Sequence, residues 1–210
     1  MDEKPIVLKR TPFTKDRKQW KDGRYFEVRN QAWRCLIENK ITALPVDVKG
    51  ILSSYCILMT YNQAKPIFQN LLDPSLFEES PCFAIFYKGR KIVAYDEDVE
   101  MTELNYALAH ELGHIFLSHY QNQDLNVEEE AESFATRVLS PLCVINECKV
   151  ENEEELSYLC EIPLRVAKKR YERLKVLRER NKFLTSELER KVYANFKEFV
   201  EGYVEYYHKD

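Results

Sequence analysis

Residues 109–114 read Ala-His-Glu-Leu-Gly-His, and this short stretch decides how the rest of the chain is interpreted. Its core, His-Glu-x-x-His, is the helical zinc motif of metallopeptidases. Successive helical residues are about 100° apart, so His110 and His114 lie one above the other and both imidazoles can bind one metal ion. Glu111 is rotated away from His110. We predict that it is the general base, which takes a proton from the water molecule that the zinc activates.

The alternative is a packed helix that carries two histidines by chance. The whole chain has only four histidines, and two of them occupy this motif. An apolar stripe of Leu104, Leu108, Leu112 and Ile115 lies roughly opposite them, so one side of the helix is predicted to pack while the other faces a site. The pattern therefore favours a zinc site over coincidence.

The third zinc ligand is expected from the next helix, predicted over residues 127–139 and ended by Pro141. Four glutamates occur within residues 128–132. Glu128 and Glu132 flank the face that is predicted to be buried, and they lie one turn apart. We predict Glu128 as the ligand and Glu132 as a carboxylate that orients a ligand histidine through its free ring nitrogen.

Two further side chains leave alternatives open. Glu130 is assigned to the face turned to water, but it stays the main rival of Glu128 as third ligand. His119 would lie near 180° from His110 if the motif helix, predicted from residue 103 to about 119 with Thr102 as N-cap, persists that far. It would then point away from the metal, and a structural role is expected.

The flanking segments predict a small sheet. Residues 56–61 read as a strand, and the apolar runs 82–87 and 91–95 enclose a Lys-Gly-Arg turn, which is a β-hairpin signal. This hairpin directly precedes the motif helix. We expect a poorly ordered arm over residues 1–22, a metallopeptidase domain over 23–145 and a helical region over 146–210.

The helical C-terminal region contains a helix-turn-helix-like outline over residues 153–182. Its second helix, residues 164–182, is strongly basic and could contact DNA phosphates or an acidic partner. The alternative is an amphipathic helix whose charges are merely solvated, and we favour that or a protein-contact role over DNA. The last helix, predicted over residues 183–207, carries many aromatic side chains and is expected to dock on the core rather than form a dimer interface.

The bulk composition excludes several classes of function. The net charge of −4 argues against a nucleic-acid binder, so direct binding to nucleic acid is not expected. The first residues are charged, which predicts no secretory signal and a cytoplasmic location. No run approaches the roughly 18 apolar residues of a membrane span. The six cysteines are scattered, and free thiols are expected.

Several segments together resemble the ImmA/IrrE family of zinc metallopeptidases. They are the hairpin and residues 44–48, 106–114, 128–135 and 139–141. The motif itself is shared by many peptidases, but its combination with a downstream Glu-x-x-Ala-x-x-x-Ala helix that ends at a proline is more specific. The resemblance covers about residues 40–141 and does not extend to the tail after residue 183.

This resemblance implies an α+β fold and a bacterial or mobile-element zinc endopeptidase of the gluzincin type. Relatives typically cleave a helix-turn-helix repressor, so the implied partner is a protein substrate of that class. Carried over by position, His110, His114 and Glu128 would bind zinc and Glu111 would be the base. One departure is visible, because relatives often have a histidine where this chain has Ser118.

A second hypothesis comes from a different class of function. The chain could be a catalytically silent, zinc-containing regulatory module that binds a repressor without cutting it. The basic helix over residues 164–182 motivates this alternative. Direct DNA binding by residues 153–182 is a third and weaker interpretation.

Overall fold

The structure is a computed structural model that describes residues 4–7, 23–120 and 126–208. It has the expected α+β fold, which combines helices with a small four-stranded mixed sheet. The chain divides into two compact units. The first is Met1–Tyr25 with Asp47–Glu132, and the second is Phe26–Val46 with Ser133–Asp210. The three-part division predicted from the sequence stays a prediction, and residues 1–3 and 8–22 of the predicted arm lie outside the described residues.

The described elements include the predicted strands and helices together with several that the sequence analysis did not name. In chain order they are β1 (Ile6–Val7), α1 (Arg24–Glu38), α2 (Val48–Ser53), β2 (Ile57–Thr60), α3 (Tyr61–Phe68), α4 (Leu76–Glu79), β3 (Cys82–Tyr87), β4 (Arg90–Tyr95), α5 (Met101–Phe116), α6 (Val127–Leu139), α7 (Leu142–Glu147), α8 (Glu153–Cys160), α9 (Leu164–Glu179) and α10 (Glu187–Tyr207). In the described part of the chain, no helix is both long enough and apolar enough to cross a membrane.

The sheet is built on the predicted hairpin, which the structure confirms. Its strand order is β1-β3-β4-β2, with β3 antiparallel to β4 and β2 parallel to β4. Lys88 and Gly89 both have positive φ, 48° and 70°, which is the conformation of the two-residue turn that matches strand twist. β1 pairs with β3 at two residues only, too short a strand for the sequence pattern to reveal.

The hairpin strands pack against an aromatic cluster and against the helix α5. Side chains alternate between faces along a strand, so Phe83 and Ile85 share one face, where they join an aromatic cluster with Tyr61, Phe68 and Phe77. The helix α5 contacts both strands of the hairpin. The predicted apolar stripe of α5 is buried throughout, and this fixes which side of α5 carries the motif histidines.

The ends of α5 differ from those predicted. The N-cap is Glu100 rather than Thr102, because the Glu100 carboxylate accepts the N–H groups of Thr102 and Glu103 at 3.1 and 3.2 Å. The helix ends at Phe116 instead of continuing to about residue 119, and Ser118 takes a left-handed φ of 56°. A carboxylate at the N-terminus of a helix also interacts favourably with the helix dipole. This explains why Glu100, and not the hydroxyl group of Thr102, caps α5.

The second unit contains the helical C-terminal region. The pair α8 and α9 is present as predicted, and Glu161 adopts the left-handed conformation that ends α8. The helix α7 was not predicted, because six residues directly after Pro141 give too short a pattern. The helix α10 begins at Glu187 rather than residue 183, and Ser186 caps it. It contacts α7, and its inner face is buried, which supports docking on the core.

We predict that α10 stabilises the second unit through its buried face. Phe196 is 0% exposed, so Phe196→Ala should lower the free energy of unfolding by about 3–5 kcal/mol. Tyr206→Ala, at a position on the same helix that is 79% exposed, is the control and should change it by less than about 0.5 kcal/mol. Urea denaturation followed by circular dichroism measures both, and equal stability of the two variants would contradict the docking of α10.

Candidate metal centre

The helix α5 brings the two motif histidines together. His110 and His114 are buried, and their Nε2 atoms are 3.0 Å apart. The spacing of one helical turn places both rings over the same spot, while the opposite stripe holds α5 against its neighbours. The predicted juxtaposition of these two imidazoles is therefore present.

The third predicted ligand joins them from α6. Glu128 Oε2 lies 3.2 Å from Nε2 of His110, and Glu128 Oε1 lies 3.4 Å from Nε2 of His114. The Glu128 side chain is 21% exposed, so this candidate ligand is partly accessible to solvent. Together His110, His114 and Glu128 form a group whose ligand atoms all lie within 4.8 Å of one another and could hold a metal ion.

The geometry of this group fits a small divalent cation. Zinc binds imidazole nitrogen and carboxylate oxygen at about 2.0–2.2 Å, so adjacent ligand atoms of a tetrahedral site lie about 3.3–3.6 Å apart. The observed separations of 3.0, 3.2 and 3.4 Å are close to that spacing. Two histidines and one glutamate are also a donor set of catalytic zinc sites, which keep a fourth position open.

Glu111, the second residue of the motif, is buried in α5. It is 1% exposed and directly follows the ligand candidate His110 in α5. A carboxylate that is removed from water next to a cation site can accept a proton without competition from bulk solvent. Its role as general base stays a prediction.

His119 lies against the back of the site, contrary to the expectation that it points away. Its Nδ1 atom is 2.9 Å from Nδ1 of His114, and its ring is buried. The expectation failed because it assumed a helix continuing past residue 116. Instead the left-handed Ser118 turns the chain back, and the His119 N–H donates to the carbonyl oxygen of His114 at 3.0 Å.

Glu130 is also buried, which corrects its assignment to the water-facing side of α6. It is 6% exposed, and its Oε2 atom is 3.0 Å from Nε2 of His119. Arg24 donates to the same carboxylate, from Nε to Oε1 at 2.8 Å and from Nη2 to Oε2. Glu130 therefore contacts His119 and Arg24, whereas Glu128 contacts the two motif histidines.

The surroundings of Glu130 keep it ionised. Burial alone would raise the pKa of this carboxyl group, but the hydrogen bonds from His119 and Arg24 and the positive charge of Arg24 outweigh it. The pKa of Glu130 is lowered to about 2. A carboxylate held in this state is an acceptor only, which fixes the direction of the hydrogen bonds that it receives.

Sequence reasoning missed this contact chain because its members come from three separate segments. A helical projection predicts the exposure of Glu130 from the apolar residues of α6 alone. Neither Arg24 nor His119, which Glu130 contacts, lies on that helix. The one local signal was a histidine five residues after His114. Glu132 was predicted to orient a ligand histidine, and the structure gives that contact on His114 to His119. Any role of Glu132 stays a prediction.

The cysteines form no part of the centre. All six are free thiols, and five of them are buried. Burial, the largest effect, raises the pKa of Cys143 to about 12. The expectation of free thiols is confirmed.

Comparisons of the chain with protein-family models, with curated proteins and with solved structures found no match. The chemical capacity of the site accordingly rests on its own geometry. Three electron-pair donors converge on one position, and a buried carboxylate lies next to them in sequence. Such an arrangement can bind a divalent metal ion and move a proton beside it.

We predict that metal binding depends on Glu128 and not on its neighbour. Metal content measured by mass spectrometry on the purified protein should be about one zinc ion per chain and should fall close to zero in Glu128→Ala, because that variant leaves two ligands. Glu129→Ala removes an equal charge one residue along α6 and should retain the metal. Loss of metal from both variants would indicate an effect of charge or folding and would contradict the assignment.

Proposed function

We propose that this chain is a zinc-dependent endopeptidase whose substrate is a helix-turn-helix transcriptional repressor. The convergence of His110, His114 and Glu128 on one position carries the metal part of the proposal. The neighbouring buried carboxylate of Glu111 supports the hydrolytic part. The substrate class rests on the resemblance to ImmA/IrrE metallopeptidases.

His110, His114 and Glu128 would hold the zinc ion, and Glu111 would handle the proton. When bound, zinc supplies a Lewis acid that polarises the scissile carbonyl group and lowers the pKa of a water molecule towards about 7. The Glu111 carboxylate takes the proton from the attacking water molecule. It then delivers this proton to the amide nitrogen as the C–N bond breaks, which leaves an amine and a carboxylic acid. The acid then passes its remaining proton to the amine, so the final products are a carboxylate and an ammonium ion.

A protein substrate is consistent with the exposure of the site. Glu128 is the partly exposed ligand candidate, whereas the two histidines are buried. A substrate carbonyl would therefore approach from the Glu128 side. A three-ligand zinc site would keep a fourth position open for a water molecule or for the substrate.

The second candidate is a regulatory module that binds a repressor without cutting it, and the basic surface of α9 favours it. Not all of its cations are available, since Arg170 donates to Ser140 and Arg178 donates to Asn146 and Val150. Other basic residues of α9 are exposed, among them Lys168, Lys169 and Arg173. These positive charges suit an acidic protein surface.

We predict that Glu111→Gln separates the two candidates. The amide cannot accept the proton, so cleavage should fall by roughly 10²–10⁴-fold while zinc content and the circular dichroism spectrum stay unchanged. If the chain is a regulatory module instead, the unaltered protein should not cleave the partner. The unaltered protein and the Glu111→Gln variant should then bind the partner equally well. Cleavage by Glu111→Gln at the rate of the unaltered protein would exclude Glu111 as the base.

The substrate class is tested without choosing a substrate in advance. The zinc-loaded protein and the Glu111→Gln variant are each incubated with a protein extract of the organism that encodes the chain. New protein N-termini are then identified by mass spectrometry. We expect termini specific to the unaltered protein to fall in helix-turn-helix repressors. Specific termini in other protein classes would contradict the substrate part, and identical termini from both proteins would contradict the peptidase.

A further inference from the structure

We propose that His119 is a positioning residue for the metal centre, anchored by Glu130 and Arg24, and that it orients His114 so that the Nε2 lone pair faces the metal. This inference rests on the proposed zinc site and deepens it. The four side chains form one continuous line of hydrogen bonds, from a partly exposed arginine to a buried ligand. None of the three positioning groups belongs to the ligand set.

The donor and acceptor roles along this series of hydrogen bonds are set at Arg24, the residue farthest from the metal. The guanidinium of Arg24 can only donate, and it contacts both oxygens of Glu130, so both of these oxygens act as acceptors. The fork of Arg24 binds both oxygens of Glu130, which holds the carboxylate plane in place. Nε2 of His119, 3.0 Å from Oε2, must therefore carry a proton and donate it to Glu130.

The protonated nitrogen of His119 in turn determines which nitrogen of His114 carries a proton. A neutral His119 with its proton on Nε2 has a lone pair on Nδ1, and that atom lies 2.9 Å from Nδ1 of His114. His114 must then donate from Nδ1, and its own lone pair is on Nε2. This is the atom that lies 3.0 Å from Nε2 of His110 and 3.4 Å from Glu128 Oε1. The line thus selects the tautomer of His114 that can bind a metal at the proposed position.

The backbone holds His119 where this contact requires it. The His119 N–H donates to the His114 carbonyl oxygen at 3.0 Å, directly after the left-handed Ser118. The rings of His114 and His119 are both almost fully buried, so water does not compete for their shared hydrogen bond. An oriented and electron-rich imidazole binds a metal more tightly than a freely rotating one.

Two substitutions of His119 separate positioning from simple packing. In His119→Asn the side-chain oxygen replaces Nδ1 as an acceptor for His114, although the side chain is smaller. In His119→Leu most of the volume is kept, but the acceptor is lost. If His119 positions His114, the His119→Asn variant should bind zinc more tightly than the His119→Leu variant. If His119 only fills space, the order should be reversed, because His119→Asn leaves the larger cavity.

The measurement is the zinc dissociation constant, obtained by competition with a chromophoric chelator, with circular dichroism confirming that each variant is folded. We expect His119→Leu to weaken zinc binding by roughly 10–100-fold and His119→Asn to weaken it by less than about tenfold. Long-range ¹H–¹⁵N NMR on the zinc-loaded protein should find the ring proton of His114 on Nδ1 and that of His119 on Nε2. The NMR test needs no variant.

Three outcomes overturn the proposal. The positioning role is removed if the unaltered protein and both His119 variants bind zinc with equal affinity. It is also removed if His119→Leu binds zinc more tightly than His119→Asn. Both results leave the proposed function intact. The proton of His119 on Nδ1 in the zinc-loaded protein does the same. Failure of the unaltered protein to bind zinc removes both the proposed function and this inference, so the two failures are distinguishable.

Discussion

The crowding of three electron-pair donors into one partly buried position is the constraint on which the first unit depends. Nε2 of His110, Nε2 of His114 and the carboxylate of Glu128 approach one another to 3.0–3.4 Å. Removing such groups from water costs free energy unless they gain partners of opposite polarity. A divalent cation satisfies all three donors at once, so the arrangement is best understood as a metal site.

The scaffold meets this constraint by keeping each donor on a rigid element. The hairpin β3–β4 and the buried stripe of α5 fix the rotation of α5, and the rotation fixes His110 and His114. Glu128 comes from the first turn of α6. Behind the ligands, His119, Glu130 and Arg24 replace the solvent that would otherwise surround the outer nitrogen of His114. Glu128 and Glu130, only two residues apart, thus contact different histidines.

Local sequence pattern was sufficient wherever the structure depends on regular periodicity. The turn signal at Lys88 and Gly89, the bounds of α6 and the stripe of α5 were predictable because each follows from spacing within one element. The burial of Glu130 was not, because it depends on Arg24, more than a hundred residues away in sequence. The early end of α5 depends on one left-handed residue, Ser118, whose side chain gives no reason to expect that conformation.

The metal centre is tested most directly by a crystal structure of the zinc-loaded protein with diffraction data collected on both sides of the zinc absorption edge. If His110, His114 and Glu128 bind the metal, one strong anomalous peak should lie within about 2.0–2.2 Å of the Nε2 atoms of both histidines and of a carboxylate oxygen of Glu128. A peak about 2.3 Å from cysteine sulfur, or no peak at the two histidines, would contradict this assignment.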